Sequence, residues 1–436
     1  MGKLKYILII LIVITVTDCS KSSDEKTVVV AKTVEITGVF DTNASSDRGE
    51  VKPVVYNEKI YYSKYLNSST GEELYSYDGS TESLASDVGG TSQGKPRSLT
   101  LFNSSIYFSA DTYSYGRELH KYDGNTVTRL TDLKGGTSDS SPESLVVSNS
   151  NLYFISLDDN STNRALYKID SSNTTTRITT VTYSTNTSSS SYPIQSDLKT
   201  LNSSLYFLSD NDNGSTNDCL MEYDGISFTC HDITAITGST VSNRMYTANY
   251  FDSVGTYLMW SCYSATKGRE LCVFDGTNIS LYDLNLNQNN SNPRNFIEYN
   301  SKVYFSATDT YGEEMWLFDT STPTRKLDIY SGSSSGYFYP VVVANSKLFF
   351  QGKTDSTNYY DLYEYDDTTG LSTVLEQSFS WYKSYCSVSD SLDEDTNSHH
   401  GGVTLGSKIY FIDSSSDLYM GGSYERHYCS LYSYTY

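Results

Sequence analysis

Four glutamates stand at one place in a recurring phrase, and a repeated acid is the first group to weigh as a catalyst. They are Glu73, Glu118, Glu270 and Glu314, carried by Gly71-Glu-Glu-Leu-Tyr-Ser-Tyr-Asp-Gly79, Gly116-Arg-Glu-Leu-His-Lys-Tyr-Asp-Gly124, Gly268-Arg-Glu-Leu-Cys-Val-Phe-Asp-Gly276 and Gly312-Glu-Glu-Met-Trp-Leu-Phe-Asp319. Acid–base chemistry needs two carboxylates, or an acid and a base, in one frame. These acids alternate with apolar residues, so the expectation is that they pair with neighbouring strands instead of doing catalysis.

The other reactive types are sparse. The histidines are His120, His231, His399, His400 and His427. His120 replaces the aromatic of its repeat and is expected to pack in a strand as Tyr75 does. His399 and His400 follow Asp393-Glu-Asp395, but adjacent imidazoles diverge, so a solvated acidic loop is expected there and not a metal. Asp210-Asn-Asp-Asn-Gly-Ser-Thr-Asn-Asp218 offers Asp210, Asp212 and Asp218 as oxygen donors for calcium. Gly214 falls where a third ligand belongs, so an ordinary turn is the stronger reading, and no cofactor is expected. Gly89-Gly90 and Gly135-Gly136 precede no helix and cradle no phosphate.

Loop aromatics beside acids are the better ligand candidates. Asp111, Tyr113, Tyr115, Asp309, Tyr311, Trp381 and Tyr382 are the residues singled out, with Tyr337 and Tyr339 also in loops. Exposed aromatic rings next to Asp and Asn suit a sugar or a protein surface. Structural packing is the alternative for each of them.

These residues hang on a repeat. Leu74, Leu119, Leu166, Leu220, Leu271, Met315, Leu362 and Leu431 recur at about 45 to 50 residues, with a longer last step caused by the insertion 387–402. Apolar and polar positions alternate, as in half-buried strands, and Asp-Gly closes most copies as a tight two-residue hairpin turn. One unit parses as 98–102, 106–110, 118–122 and 127–131: four short strands in a meander. The second strand returns eight times, as Ile60-Tyr-Tyr62, Ile106-Tyr-Phe108, Leu152-Tyr-Phe154, Leu205-Tyr-Phe207, Leu258-Met-Trp260, Val303-Tyr-Phe305, Leu348-Phe-Phe350 and Ile409-Tyr-Phe411.

The fold class is therefore all-β, an eight-bladed β-propeller of four-stranded antiparallel blades over residues 33–436. The last repeat ends inside its third strand. Residues 34–40 are expected to supply the missing outer strand by pairing with 429–436, which hides both sheet ends.

Composition limits the partners. A formal charge of −21, from 31 Lys and Arg against 52 Asp and Glu, argues against nucleic acid and against an anionic membrane surface. Residues 1–18 read as a signal peptide: Lys3 and Lys5 precede an apolar run, 6–16, too short to span a bilayer. The run ends at Val16-Thr-Asp-Cys19, which resembles the lipobox of bacterial lipoproteins. The resemblance implies acylation of Cys19, with 19–32 as lipidated Cys and polar tether.

Of seven cysteines, six remain after Cys19. In an exported chain they are expected to form local disulfides, Cys219–Cys230 and Cys262–Cys272 across hairpin turns and Cys386–Cys429 in the last repeat.

The phrase Gly-x-Glu-Leu-(Trp/Tyr)-x-(Tyr/Phe)-Asp-Gly, preceded by Tyr-Phe-x-Ala-x-Asp, resembles the ELWxxDGT-repeat (hyalin-like) exported bacterial proteins. Trp316 keeps that family's Trp. The resemblance implies a surface-associated propeller and no catalytic residues. The functional expectation is a monomeric, lipid-anchored binding or scaffolding module of the cell envelope, at the outer membrane or cell surface, with a protein or glycan ligand. The alternatives are a propeller hydrolase or lyase acting on polysaccharide, and an accessory of outer-membrane protein assembly.

Overall fold

The computed structural model describes residues 33–41, 52–67, 71–90, 92–157, 164–183, 196–209, 219–237, 250–354, 356, 359–369, 371–380, 402–415 and 428–436. They form eight four-stranded antiparallel sheets, the blades. Blades 1 to 7 occupy residues 54–86, 97–129, 143–183, 199–232, 252–282, 294–327 and 339–380, each in the spatial order of its sequence. Blade 8 takes three strands from 403–435 and its fourth from Thr33–Asp41.

First strands touch first strands all the way round, and that of blade 8 meets those of blades 7 and 1. The sheets therefore stand in a closed ring with first strands innermost, a β-propeller. The seam is the expected one: Thr33 lies opposite Tyr434 and Asp41 opposite Tyr428, with two register shifts between them. One four-residue helical turn, Thr234–Thr237, interrupts the all-β pattern.

The abundance of tyrosine follows from how blades meet. At six of the eight junctions the first aromatic of a second strand faces the last aromatic of the third strand in the next blade. Tyr61 meets Tyr122 at 5.6 Å between ring centroids, Tyr153 meets Tyr223 at 6.2 Å, and Tyr206 meets Phe274 at 5.7 Å. Tyr304 meets Tyr365 at 5.6 Å, Phe349 meets Tyr434 at 5.8 Å, and Tyr410 meets Tyr77 at 6.0 Å across the seam. Aromatic pairs at such separations add about 0.5 to 1.5 kcal/mol beyond burial. Within a blade, the second aromatic of that strand packs on the third: Phe108 on His120, Phe154 on Tyr167, Phe350 on Tyr363. His120 thus packs as a strand aromatic, and burial pushes its imidazole down to about 4.

The turns differ from the expectation. Asp-Gly does not make a two-residue turn. Tyr77 lies opposite Glu82, so the loop holds four residues, and only Gly79 takes a positive φ, 95°. Asp78 shapes it through its side chain, whose Oδ1 accepts the N–H groups of Ser80 and Thr81 at 2.9 and 2.7 Å. Asp123, Asp224 and Asp275 repeat this. The two-residue turns lie between first and second strands, at Asn57-Glu58, Asn103-Ser104, Asn149-Ser150, Asn202-Ser203, Asn300-Ser301 and Asn345-Ser346, where both residues have positive φ. Asn tolerates that region best among non-glycine residues, and the turn's twist matches the strands it joins.

Candidate functional site

A four-strand meander sends alternate connections to opposite ends. First-to-second and third-to-fourth turns lie on one face of the ring. Second-to-third loops and blade-to-blade connectors lie on the other, called here the loop face. Asp111, Tyr113, Tyr115, Asp309, Tyr311, Tyr337 and Tyr339 all belong to the loop face or its rim.

They do not converge. The first three are in blade 2 and the next two in blade 6, which are four blades apart in a ring of eight. Tyr115 and Tyr311 are 41% and 49% exposed, and each lies under a guanidinium of its own outermost strand. Arg129 stands 3.6 Å from the Tyr115 ring and Arg325 stands 4.0 Å from that of Tyr311. Asp111 holds Arg117 at 3.0 Å, and the Asp309 carboxylate accepts the Tyr311 N–H at 2.7 Å. Tyr113 is 76% exposed and projects from the rim. The result is two peripheral patches on opposite blades instead of one pocket. Trp381 and Tyr382 lie outside the described residues.

The four motif glutamates have a job that strand patterning does not reveal. All four are fully buried, and they grip connectors instead of pairing with strands. Glu73 accepts the N–H of Val88 at 2.7 Å, where the connector starts, and of Gly94 at 2.8 Å, where it ends. Glu314 does the same with Ile329 at 2.6 Å and Gly336 at 2.8 Å. Glu270 accepts Leu284 at 2.6 Å and Ser291 at 3.2 Å. Glu118 accepts the N–H of Leu133 at 3.3 Å and the hydroxyl of Thr131 at 2.6 Å.

The far end of each connector is shared with the next blade. The carbonyls of Gly94, Ser140, Ser291 and Gly336 accept N–H groups of Asp111, Leu157, Thr308 and Lys353 at 2.7 to 2.8 Å. One carboxylate therefore fixes a connector and, through it, the following sheet. The approach is close: a Cβ on Gly94 would lie 2.5 Å from Glu73 Oε2, and one on Gly336 would lie 2.7 Å from Glu314 Oε2. Burial pushes the Glu73 carboxyl up to about 7 and that of Glu314 up to about 8, against the opposing pull of the backbone N–H groups. Glu118 and Glu270 are raised from the same cause.

Two further acids are neutralised by arginines at the inner strands. Arg97 makes a two-pronged contact with Glu72 of the preceding blade, at 2.6 and 2.9 Å. Burial acts to raise the Glu72 carboxyl, but the Arg97 charge and the Arg97 and Ser63 hydrogen bonds outweigh it and hold it below the usual range. Arg294 grips Glu313 of its own blade at 3.0 and 2.6 Å, and Ser306 donates to the same carboxylate. Tyr250 accepts from Arg294 at 3.2 Å. His231 bonds Glu222 at 2.8 Å.

Beside Arg294, Tyr337 of the connector packs with two tyrosines of blade 7. Tyr337 and Tyr339 lie parallel at 6.2 Å, and Tyr360 stands edge-on to both, at 6.1 and 5.4 Å. Tyr339 and Tyr360 are buried, Tyr337 is partly exposed, and Lys353 Nζ lies 5.2 Å from the Tyr337 ring.

Two of the expected disulfides are present, Cys219–Cys230 and Cys262–Cys272. Their register differs from the expectation. Cys219 lies opposite Asp232 and Cys262 opposite Glu270, so both bridges run diagonally to a cysteine two residues along the partner strand. Cys219 occupies the place that a motif glutamate holds elsewhere. Cys386, and with it the pairing with Cys429, lies outside the described residues, as do Cys19, Asp210, Asp212, Asp218, His399, His400 and His427. Among the described residues, no three His, Cys, Asp or Glu side chains group as metal ligands, and no helix is long and apolar enough to cross a membrane.

No protein-family model matches the chain, and no curated protein matches its sequence. Among solved structures, the chain is similar to the β-propeller domain of the Trilobed protease from Pyrococcus furiosus. The TM-score is 0.45 at 9% identity, covering 76% of this chain and 96% of that one. A puromycin hydrolase gives 0.47 at 9% identity, with 86% and 59% covered. Acylaminoacyl peptidase of Pyrococcus horikoshii gives 0.42 at 11%, with 77% and 54% covered. The chain therefore spans little more than half the length of these last two, and at such identities the likeness is one of fold.

Proposed function

We propose that the chain is an exported, envelope-anchored binding module whose loop face recognises a protein or a glycan. One observation carries the reading: the acids that recur with the motif are buried and hold connectors, and the loop face presents tyrosine, partly exposed and backed by arginine or lysine. Rigid aromatic rings with cations beside them are recognition surfaces. The resemblance to ELWxxDGT-repeat proteins supports the same reading.

The anchor is a thioether-linked lipid at Cys19, followed by a polar tether. Lipid chains hold a soluble domain to a bilayer without a spanning helix. The two disulfides support an oxidising compartment such as the periplasm or cell surface.

The test is a paired glycan and peptide array with the intact chain, followed by turnover assays on every hit. Binding without product formation is the expected result. Release of reducing ends from a bound polysaccharide would replace this reading with the hydrolase or lyase. For the anchor, Cys19→Ser is expected to move the protein from the membrane fraction to the soluble one and to abolish incorporation of a clickable fatty acid. Retention of both would remove the lipid from the proposal.

A further inference from the structure

The connectors of blades 1, 2, 5 and 6 place four residues in one unusual conformation. Lys95, Ser141, Asn292 and Tyr337 each come directly after the residue pinned at the connector's end, each donates its N–H to the third strand behind it, and each has a positive φ, of 43°, 46°, 44° and 56°. The architecture demands that conformation, and Asn at 292 meets it with least strain. At 337 the demand falls on a tyrosine, the bulkiest of the four. A strained residue kept where an easier one serves elsewhere points to use.

The surroundings hold that ring in place. Tyr339 and Tyr360 lie buried beside it, and Lys353, whose own N–H is fixed to Gly336, brings its ammonium to 5.2 Å from the ring centre. The Tyr337 N–H is bound to the Glu313 carbonyl at 3.0 Å, and the Glu313 carboxylate is locked by Arg294. The result is one partly exposed ring, pre-organised by two buried rings, with an ammonium lying over it.

We propose that Tyr337 is the stacking platform of a subsite for a neutral pyranose of a glycan chain, with Lys353 donating to a sugar hydroxyl. This rests on the loop-face reading above and names its ligand class. A pyranose has an apolar face of C–H groups and an equatorial rim of hydroxyls, which match a flat ring and a neighbouring ammonium. The overall charge of −21 disfavours an anionic sugar polymer. A protein hot spot would instead seat its side chain in a deep, fully desolvated pocket.

The experiment measures binding of cellohexaose, xylohexaose, mannohexaose and chitohexaose to the full chain by calorimetry, with Tyr337→Asn, Tyr337→Phe and, on the opposite face, Ile226→Ala beside it. At least one hexasaccharide is expected to bind. Tyr337→Asn should weaken it tenfold or more with the melting temperature unchanged or raised, because Asn suits the backbone. Tyr337→Phe and Ile226→Ala should stay within threefold of the parent. Should Tyr337→Asn fail to fold, Lys353→Met takes its place, with a loss of fivefold or more expected.

Hexasaccharide binding that ignores Tyr337 overturns the subsite and leaves the binding module standing. Peptide-array binding with no hexasaccharide bound overturns the sugar and keeps the loop face. No ligand in either format overturns both.

Discussion

Blades 1, 2, 5 and 6 carry the motif glutamate; blades 3, 4, 7 and 8 have Ala165, Cys219, Asp361 and Ser430 in its place. The two sets form opposed pairs around the ring. They also differ in the length of chain beyond the fourth strand. In the first set the next sheet begins soon after: Ser86 to Arg97, Arg129 to Glu143, Tyr282 to Arg294 and Leu327 to Tyr339. In blades 3, 4 and 7 the gaps are Tyr183 to Lys199, Asp232 to Asp252 and Ser380 to Val403, whereas blade 8, from Asp41 to Val54, is as short as the first set. The difference teaches the purpose of the motif. In blades 1, 5 and 6 a buried glutamate closes a short connector onto both of its ends, and in blade 2 it holds the near end, so it sets the spacing of adjacent blades. In blades 3, 4 and 7, where that glutamate is absent, the connector has grown, and in blade 4 a disulfide stands where the acid would be.

The sharpest way to break this comparison is to remove one grip. Glu314→Ala removes the carboxylate partner of the buried Ile329 N–H and leaves the Gly336 N–H with only the Glu313 carbonyl. A lost partner of that kind costs about 1 to 3 kcal/mol, so the expected loss is about 3 kcal/mol in a urea titration. Ala165→Ser, at the equivalent place in blade 3, should change stability by less than about 1 kcal/mol. Equal effects would mean that the glutamate is not what separates the two sets.

Blade 4 offers the next test, because its bridge ties the third strand, at the glutamate's place, covalently to the fourth. The pair Cys219→Ala with Cys230→Ala opens a loop of sequence separation 11, and the loop-entropy relation gives about 3 kcal/mol. Proteolysis on native protein should then cut first in blade 4. Cutting that begins elsewhere would show that the bridge does not stand in for a grip.

Acidity separates the sets in a third way. Glu73 and Glu314 have folded values of about 7 and about 8, above the ordinary carboxyl value of 4.5. For a carboxyl raised on folding, the native state holds the proton more tightly. The associated stability is full below about pH 4.5 and is lost as pH rises through 7 to 8. The melting temperatures of Glu73→Gln and Glu314→Gln should therefore depend less on pH between 5 and 8 than that of the parent. Glu72, lowered by Arg97, acts in the opposite sense, losing its contribution on acidification. Parallel curves for parent and variants would discard the titration of the grip.

How far all this was legible in the sequence depends on the range of the interaction. Ring, blade count and seam were readable because alternation and Asp-x-turn punctuation are local and repeat eight times. The partners of Cys219 and Cys262 were readable by counting from a turn, although the four-residue loop and the strand register made the bridges diagonal. The role of the glutamates was not, since their partners lie 13 to 22 residues away in irregular connectors. A signal was present all the same. Asp-Val, Asp-Leu, Asp-Leu and Asp-Ile at 87, 132, 283 and 328 mark where each connector starts, seven or eight residues before a Gly or Ser that ends it. The tyrosines at 113, 115 and 311 were readable as loop residues, but the face they share, and the separation of blades 2 and 6, appear only in the ring order.

Those two blades provide the smallest test. Tyr115 and Tyr311 lie against Arg129 and Arg325, the same contact on opposite sides of the ring. A guanidinium over an exposed ring contributes about 0.5 to 1 kcal/mol. Arg129 also donates to the Thr131 carbonyl at 2.7 Å, and Thr131 is the hydroxyl bound to Glu118. Arg325 contacts Asp309 at 3.8 Å and has no such link to Glu314 among its described contacts. Arg129→Ala should therefore cost about 1 kcal/mol, combining the ring contact with a partner lost next to the grip. Arg325→Ala should cost about half of that. Two equal losses would show that the arginines serve only their tyrosines, and that the grip of blade 2 does not extend to its outer strand.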